Sequence, residues 1–127
     1  MSSRVLVVDD EQDLLASYER LLRRQGLRVI ATGSRHEGLA IIGHEPLVLV
    51  IADLRLPDGD GLDIVRAARR QPVPIPALVV TGFASEVARA AALAAGASAF
   101  LTKPFAAAEF AALVAEAVQG GSTPHED

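Results

Sequence analysis

Three aspartates, one threonine and one lysine each stand at the end of a short apolar run. Asp9 and Asp10 follow residues 4–8, Asp53 follows 47–52, Thr81 follows 77–80, and Lys103 follows 97–101 with Thr102 between. These side chains suit one chemistry. The carboxylates offer only oxygen, a donor set for a hard divalent cation such as Mg²⁺, which binds through one or two carboxylates, keeps waters and also grips a phosphate. Two carboxylates about 4 Å apart repel by about 4 kcal/mol at an effective dielectric near 20, so a cluster of three needs a counter-charge. Lys103, the one lysine beside 11 arginines, can share that role with the metal. An ionised aspartate is a nucleophile toward phosphorus and forms an aspartyl phosphate. Phosphoryl transfer then needs positioning and charge stabilisation at the phosphoryl oxygens, for which Mg²⁺, Lys103 and the Thr81 hydroxyl are suitable parts.

Holding these groups at one edge takes a parallel sheet. Residues 4–8 (Arg-Val-Leu-Val-Val) read as a strand. Over 11–25 the pattern turns helical, with Leu14, Leu15, Tyr18, Leu21 and Leu22 on one face, and Gly26 closes the helix as a left-handed cap. A strand over 27–31 follows. Ser34 caps the next helix, with Glu37 completing a capping box, and Pro46 closes it. Residues 47–52 are apolar at every position, as expected of a central parallel strand buried on both faces.

A polar loop, 53–61, leads to a helix that Asp60 can cap, with Leu62, Val65 and Ala68 or Arg69 on its inner side. Pro72, Pro74 and Pro76 force an extended connection. Strands over 77–80 and 97–101 flank an alanine-rich helix, 84–95, stopped by Gly96. A last helix over 106–119 turns Phe110, Leu113, Val114 and Ala117 inward. Residues 120–127 read as a flexible tail or the start of a linker. Strand and helix alternate five times. This predicts an α/β fold: a doubly wound, five-stranded parallel sheet covered by five helices, with ligands beyond the carboxyl ends of the strands.

Composition narrows the function. A length of 127 residues fits one domain, here 1–119. No run is long enough to span a membrane and no signal peptide is evident, so a cytoplasmic location is expected. A net charge of −4 gives no global pull toward nucleic acid. The absence of cysteine excludes thiolate chemistry, and His36, His44 and His125 have no second ligand at metal spacing, which argues against zinc. Asp58-Gly-Asp60-Gly is not a calcium loop, because Leu62 and Asp63 occupy positions that need a ligand and a glycine.

Four motifs in order, Val-Val-Asp9-Asp10-Glu, Ile-Ala-Asp53-Leu-Arg-Leu-Pro57-Asp-Gly-Asp-Gly61, Val-Val-Thr81-Gly82 and Phe100-Leu-Thr-Lys103-Pro104-Phe105, resemble a bacterial two-component response-regulator receiver domain of the CheY-like kind. The resemblance covers residues 4–119. It implies the flavodoxin-like receiver fold with strand order 2-1-3-4-5, and Asp53 as phosphoacceptor. Mg²⁺ would be held by Asp10 directly, by Asp9 mainly through water, by Asp53, and by the Arg55 backbone carbonyl. Thr81 and Lys103 would bind the phosphoryl group, and Pro104 would follow a cis peptide bond. Phe100 falls at the switch position, where the family more often carries tyrosine or histidine. The donor would be a histidine kinase or a histidine phosphotransfer protein. The output would pass through the fourth helix, fifth strand and fifth helix (the 4-5-5 face) to a partner or a homodimer. Such a domain is a phosphorylation-controlled switch rather than a turnover enzyme, and does not itself bind nucleic acid.

An aspartate-nucleophile phosphatase of the haloacid-dehalogenase type uses a similar set, but wants an aspartate where Arg55 stands. A receiver used only as an interaction module would be expected to have lost part of the acidic set. Two residues flank the site. Phe83, an apolar plate two after Thr81, is expected to slow hydrolysis of the aspartyl phosphate, and Arg55 can reach the phosphoryl oxygens or remain solvated. Of 23 alanines, 16 lie between Ala84 and Ala117, so the helix over 84–95, with only Val87 and Leu93 bulky, is expected to be lightly anchored.

Overall fold

The Leu-Val-Ile-Ala strand at 49–52 is buried at every position and forms the middle of a five-stranded parallel sheet. The computed structural model describes residues 3–122. In chain order the elements are β1 (Arg4–Val8), α1 (Gln12–Arg23), β2 (Arg28–Thr32), α2 (Arg35–His44), β3 (Leu49–Ala52), β4 (Arg55–Leu56), β5 (Gly59–Asp60), α3 (Leu62–Arg69), β6 (Ala77–Thr81), α4 (Glu86–Ala94), β7 (Ala99–Thr102) and α5 (Ala107–Ser122). The sheet runs β2-β1-β3-β6-β7, with every neighbouring pair parallel. Counted among its own strands this is order 2-1-3-4-5, the order the family resemblance implies, in the doubly wound arrangement expected from the alternation.

Side chains alternate across each strand, so the sheet divides two cores. Leu6, Val8, Val50 and Ala52 face Ile42, Ile64 and Val65 of α2 and α3. Val5, Val7, Leu49 and Ile51 face Tyr18 and Leu22 of α1 and Phe110 and Val114 of α5. Each fully buried aliphatic side chain stabilises the fold by roughly 1.5–3 kcal/mol, and both cores hold the same strands in register. Gly26, at φ 77°, ends α1 in the left-handed conformation that glycine adopts without strain.

Several local features depart from the sequence pattern. Ser34 does cap α2, accepting from the Glu37 N–H at 3.1 Å, but the Glu37 carboxylate accepts from the Thr32 hydroxyl and leaves the box half made. The loop over 53–61 contains a two-residue antiparallel ribbon, β4 with β5. On α3 the buried residues are Leu62, Ile64, Val65 and Ala68, while Arg69 is exposed. α5 continues to Ser122, beyond the expected stop at 119, and the rest of the expected tail, 123–127, lies outside the described residues.

α4 is held through alanine. Ala92 is its buried residue, with Ala91 and Ala95 packed beside it, while its bulky Val87 and Leu93 are 80% and 43% exposed. Among the described residues, no helix is long and apolar enough to cross a membrane.

Candidate functional site

The strands deliver their chemistry to one edge because all five run the same way. β1 leads into Asp9 and Asp10, β3 into Asp53, β6 ends on Thr81, and β7 ends one residue before Lys103. Oxygens of Asp9, Asp10 and Asp53 lie within 4.8 Å of one another. Asp9 and Asp53 are buried at 2% and 4% exposure, and Asp10 is open to solvent.

Each buried carboxylate is tied down. Asp9 Oδ1 accepts the Glu11 N–H at 2.9 Å, and its Oδ2 accepts from the Tyr18 hydroxyl at 3.1 Å. The Lys103 ammonium lies 2.8 Å from Asp9 Oδ2 and 2.8 Å from Asp53 Oδ2, and pairs with Glu11 as well. Burial alone would push the ammonium's pKa down. Its hydrogen bonds to Asp53, Asp9 and Glu11 outweigh that and hold it above the usual lysine value. Tyr18 is displaced the same way: burial first, then the Asp9 charge, keep the phenol protonated well beyond its ordinary range.

The loop after β3 folds back on the backbone of Asp53 itself. The Gly61 N–H donates to the Leu54 carbonyl at 2.8 Å, and a Cβ at Gly61 would lie 1.8 Å from the Asp53 carbonyl oxygen. Asp60 Oδ1 accepts the Leu62 N–H at 2.9 Å, the first amide of α3, although the cap position itself falls on Gly61 rather than on Asp60. Asp58 is spent on another helix. Its carboxylate accepts the Arg35 and His36 N–H groups at 2.7 and 2.9 Å, at the start of α2. The Arg35 guanidinium bonds Asp63 of α3 at 2.9 Å. The loop is therefore braced from both sides.

Thr81 is fully buried, and its hydroxyl oxygen accepts the Phe83 N–H at 3.1 Å. The Arg55 amide lies 3.4 Å from Asp53 Oδ1, and its guanidinium sits over the Phe83 ring, 4.0 Å from the centroid. Asp53, Arg55 and Phe83 rim an open cleft of about 710 Å³ that also takes in Asp10, Glu11 and Lys103. The Lys103–Pro104 peptide bond is cis. Phe100 stands apart from this cluster. It is half-buried on β7, opposite Val79, against the core under α3 and α4.

Tyr18 and Glu11 were not singled out from the sequence as site residues. Tyr18 reads there as one more apolar position of α1. The signal was its hydroxyl, since a buried phenol needs a partner. Glu11 reads as part of the acidic run, and only the fold brings it onto Lys103.

The donor set fits a hard divalent cation: three carboxylate oxygens gathered beneath an open cleft, with a lysine already supplying positive charge. A parallel sheet of order 2-1-3-4-5 with an acidic cluster, a hydroxyl and an ammonium at its carboxyl edge defines a receiver-type architecture. Residues 5–115 match the family described as response regulator receiver domain, and the chain belongs to that family.

The chain is 39% identical over 113 residues to the transcriptional regulatory protein PrrA of Mycobacterium tuberculosis, a match covering 89% of this chain and 48% of PrrA. It thus spans about half the length of that relative. A CheY-like receiver domain protein from Methanospirillum hungatei has the same fold, with a TM-score of 0.86 at 30% identity over 95% of this chain and 97% of that one. A response regulator from Burkholderia pseudomallei, solved with a phosphorylated aspartic acid, calcium ion and citrate, gives a TM-score of 0.78 at 28% identity, covering 93% of this chain and 67% of that one.

Proposed function

We propose that this receiver domain accepts a phosphoryl group on Asp53 from the phosphohistidine of a histidine kinase or histidine phosphotransfer protein. The observation that carries the reading is the convergence of Asp9, Asp10 and Asp53 within 4.8 Å, with the Lys103 ammonium at 2.8 Å from two of them. A second support is the phosphorylated aspartic acid and calcium ion in the Burkholderia pseudomallei relative.

An Asp53 oxygen attacks phosphorus, the phosphorus–nitrogen bond of the donor breaks, and its electron pair stays on the imidazole. Lys103 already reaches Asp53 and pairs with a phosphoryl oxygen. The Thr81 hydroxyl leaves the Phe83 amide to bond another. Asp9, Asp10, Asp53 and the Arg55 carbonyl would hold Mg²⁺, which supplies charge neutralisation at the phosphoryl oxygens. Phe83, on the cleft wall, slows hydrolysis of the product, and Phe83→Glu is expected to shorten its lifetime.

The reading makes the chain a switch rather than a turnover enzyme. The added charge, roughly −2 at neutral pH, shifts Thr81 and the elements beside it. Phe100 then moves with β7, and the face formed by α4, β7 and α5 passes the change to a partner or a second copy. The light alanine anchoring of α4 supports that choice of face. The domain works in the cytoplasm with its kinase and leaves nucleic-acid binding to other parts of a regulator.

The test is intact mass after incubation with acetyl phosphate, with and without Mg²⁺, for the wild type and Asp53→Asn. A single Mg²⁺-dependent phosphoryl adduct absent from Asp53→Asn is expected. Wild type that stays unmodified with acetyl phosphate and with phosphorylated candidate kinases would overturn the reading in favour of a pure interaction module.

A further inference from the structure

Two of the groups assigned above stand where loops leave the sheet: Asp53 opens residues 53–61, and Thr81, the last residue of β6, leads into residues 82–85. Across the mouth of the cleft these loops meet through the guanidinium of Arg55, 4.0 Å from the centroid of the Phe83 ring. The ring is 49% exposed, and the cation covers one of its faces. Residue 83 makes a second contact through its backbone, donating its N–H to Thr81 Oγ1 at 3.1 Å. At the other end, the Arg55 amide lies 3.4 Å from Asp53 Oδ1. Asp53, Arg55, Phe83 and Thr81 thus form an unbroken chain of contacts, with one residue, Phe83, touching both Arg55 and Thr81.

We propose that Arg55 is a positioning residue for Thr81. By stacking on Phe83 it clasps the two loops together and keeps the Thr81 hydroxyl engaged with the Phe83 amide until phosphorylation. The inference rests on the reading that Thr81 turns to the phosphoryl group. For that turn, Thr81 Oγ1 must give up the Phe83 N–H. The amide and the ring belong to one residue on a short loop, so backbone movement that frees the hydroxyl also lifts the ring from the guanidinium. The stack therefore favours the resting arrangement and opposes charging. A cation over an exposed ring contributes enough to alter such an equilibrium by about 2- to 5-fold. Arginine suits the role because its flat guanidinium stacks on an aromatic face.

The experiment follows the rate of acyl-phosphate formation with acetyl phosphate and Mg²⁺ in a cycle of wild type, Arg55→Gln, Phe83→Leu and the double variant. Phe83→Leu keeps apolar bulk and loses the ring face. Arg55→Gln also removes a charge that attracts the anionic donor, and the double variant isolates that effect. Removing Arg55 is expected to speed charging about 2- to 5-fold more with Phe83 intact than with Phe83→Leu already present. Independent, purely additive effects overturn the proposal.

A spectroscopic arm reads the stack itself rather than a rate. The chain has no tryptophan, so Phe83→Trp supplies a single indole that can be excited apart from Tyr18. Its emission is expected to shift when Arg55→Gln is added, and to shift in the same sense when the protein carrying Arg55 is phosphorylated. Emission indifferent to Arg55 overturns the clasp. If wild type forms no adduct with acetyl phosphate or with phosphorylated candidate kinases, the functional reading falls and the clasp with it. If the adduct forms and the cycle is additive, only the clasp falls.

Discussion

The phenolic oxygen of Tyr18 lies 3.1 Å from Asp9 Oδ2, so the buried face of α1 reaches into the acidic cluster. Tyr18 is fully buried and packs near Phe110 and Phe105, with ring centroids 5.6 and 6.1 Å away. One side chain thus joins the hydrophobic core to a site carboxylate. Tyr18→Phe is expected to cost about 1 kcal/mol of stability by removing the hydrogen bond and to loosen Asp9. Chemical denaturation of the two proteins checks the first effect, and Mg²⁺ titration the second. The phenol's folded pKa lies above its usual value, because burial and then the Asp9 charge disfavour the phenolate. Its contribution to stability is therefore full below about pH 10 and is lost as pH rises toward the folded value. As the chain's one tyrosine, it should show phenolate absorbance only as the protein unfolds in alkali.

Lys103 acts as an internal cation. Its side chain is 10% exposed, and those of Asp9 and Asp53 are 1% and 5% exposed. Lys103→Met leaves the carboxylates facing one another and should destabilise the metal-free protein by roughly 3 kcal/mol. Mg²⁺ should restore much of that loss. The rise in melting temperature on adding Mg²⁺ is therefore expected to be larger for Lys103→Met than for wild type, although phosphoryl transfer is lost. An equal rise in both would mean that the lysine and the metal do not share a role.

Asp58 holds the loop after Asp53 onto α2. The His36 N–H, the Arg35 N–H and the Ser34 hydroxyl keep its carboxyl below the usual carboxylate range. A lowered folded pKa means that its contribution is present above the unfolded value near 4 and is lost as pH falls through the folded one. Asp58→Ala should therefore melt below wild type at neutral pH, with the gap closing in acid. Melting curves across that range would show it.

Glycine is required at Gly61 in the loop and dispensable at Gly43 in α2. A Cβ at Gly61 would lie 1.8 Å from the Asp53 carbonyl oxygen, whereas one at Gly43, exposed near the end of α2, would meet nothing within 4 Å. Gly61→Ala should cost at least about 3 kcal/mol and disturb Asp53 as well. Gly43→Ala should stabilise by about 0.5–1 kcal/mol through helix propensity. Denaturant midpoints for the pair test whether the close approach, rather than glycine content, matters.

The parts of the site that lie in line with their strands were legible from the sequence. Asp9, Asp10, Asp53, Thr81 and Lys103 each close an apolar run, and a parallel sheet puts all such ends on one side. Contacts between loops were not legible in the same way. The seat of Arg55 on Phe83, and the reach of Glu11 to Lys103, depend on loop paths that no periodicity encodes. The β4–β5 ribbon is too short to leave an alternation. Glu37 matches the capping-box spacing, yet the Thr32 hydroxyl takes its carboxylate. In α4, helical period alone could not say that alanines would face the sheet and Val87 and Leu93 the solvent.

Lys103 and Asp53 are 50 residues apart in the chain and meet only when β7 lies on β6 with Thr81 opposite Thr102. A slip of one residue at this edge strand would turn every β7 side chain to the other face and carry the ammonium away from the carboxylates. The ion pair therefore works as a proofreader of edge-strand alignment. In a chain synthesised from its amino end, the acidic residues after β1 and β3 emerge well before their lysine. Until β7 is in place the acidic cluster lacks that counter-charge, and on the proposed function the divalent cation of phosphoryl transfer would also steady the half-built sheet.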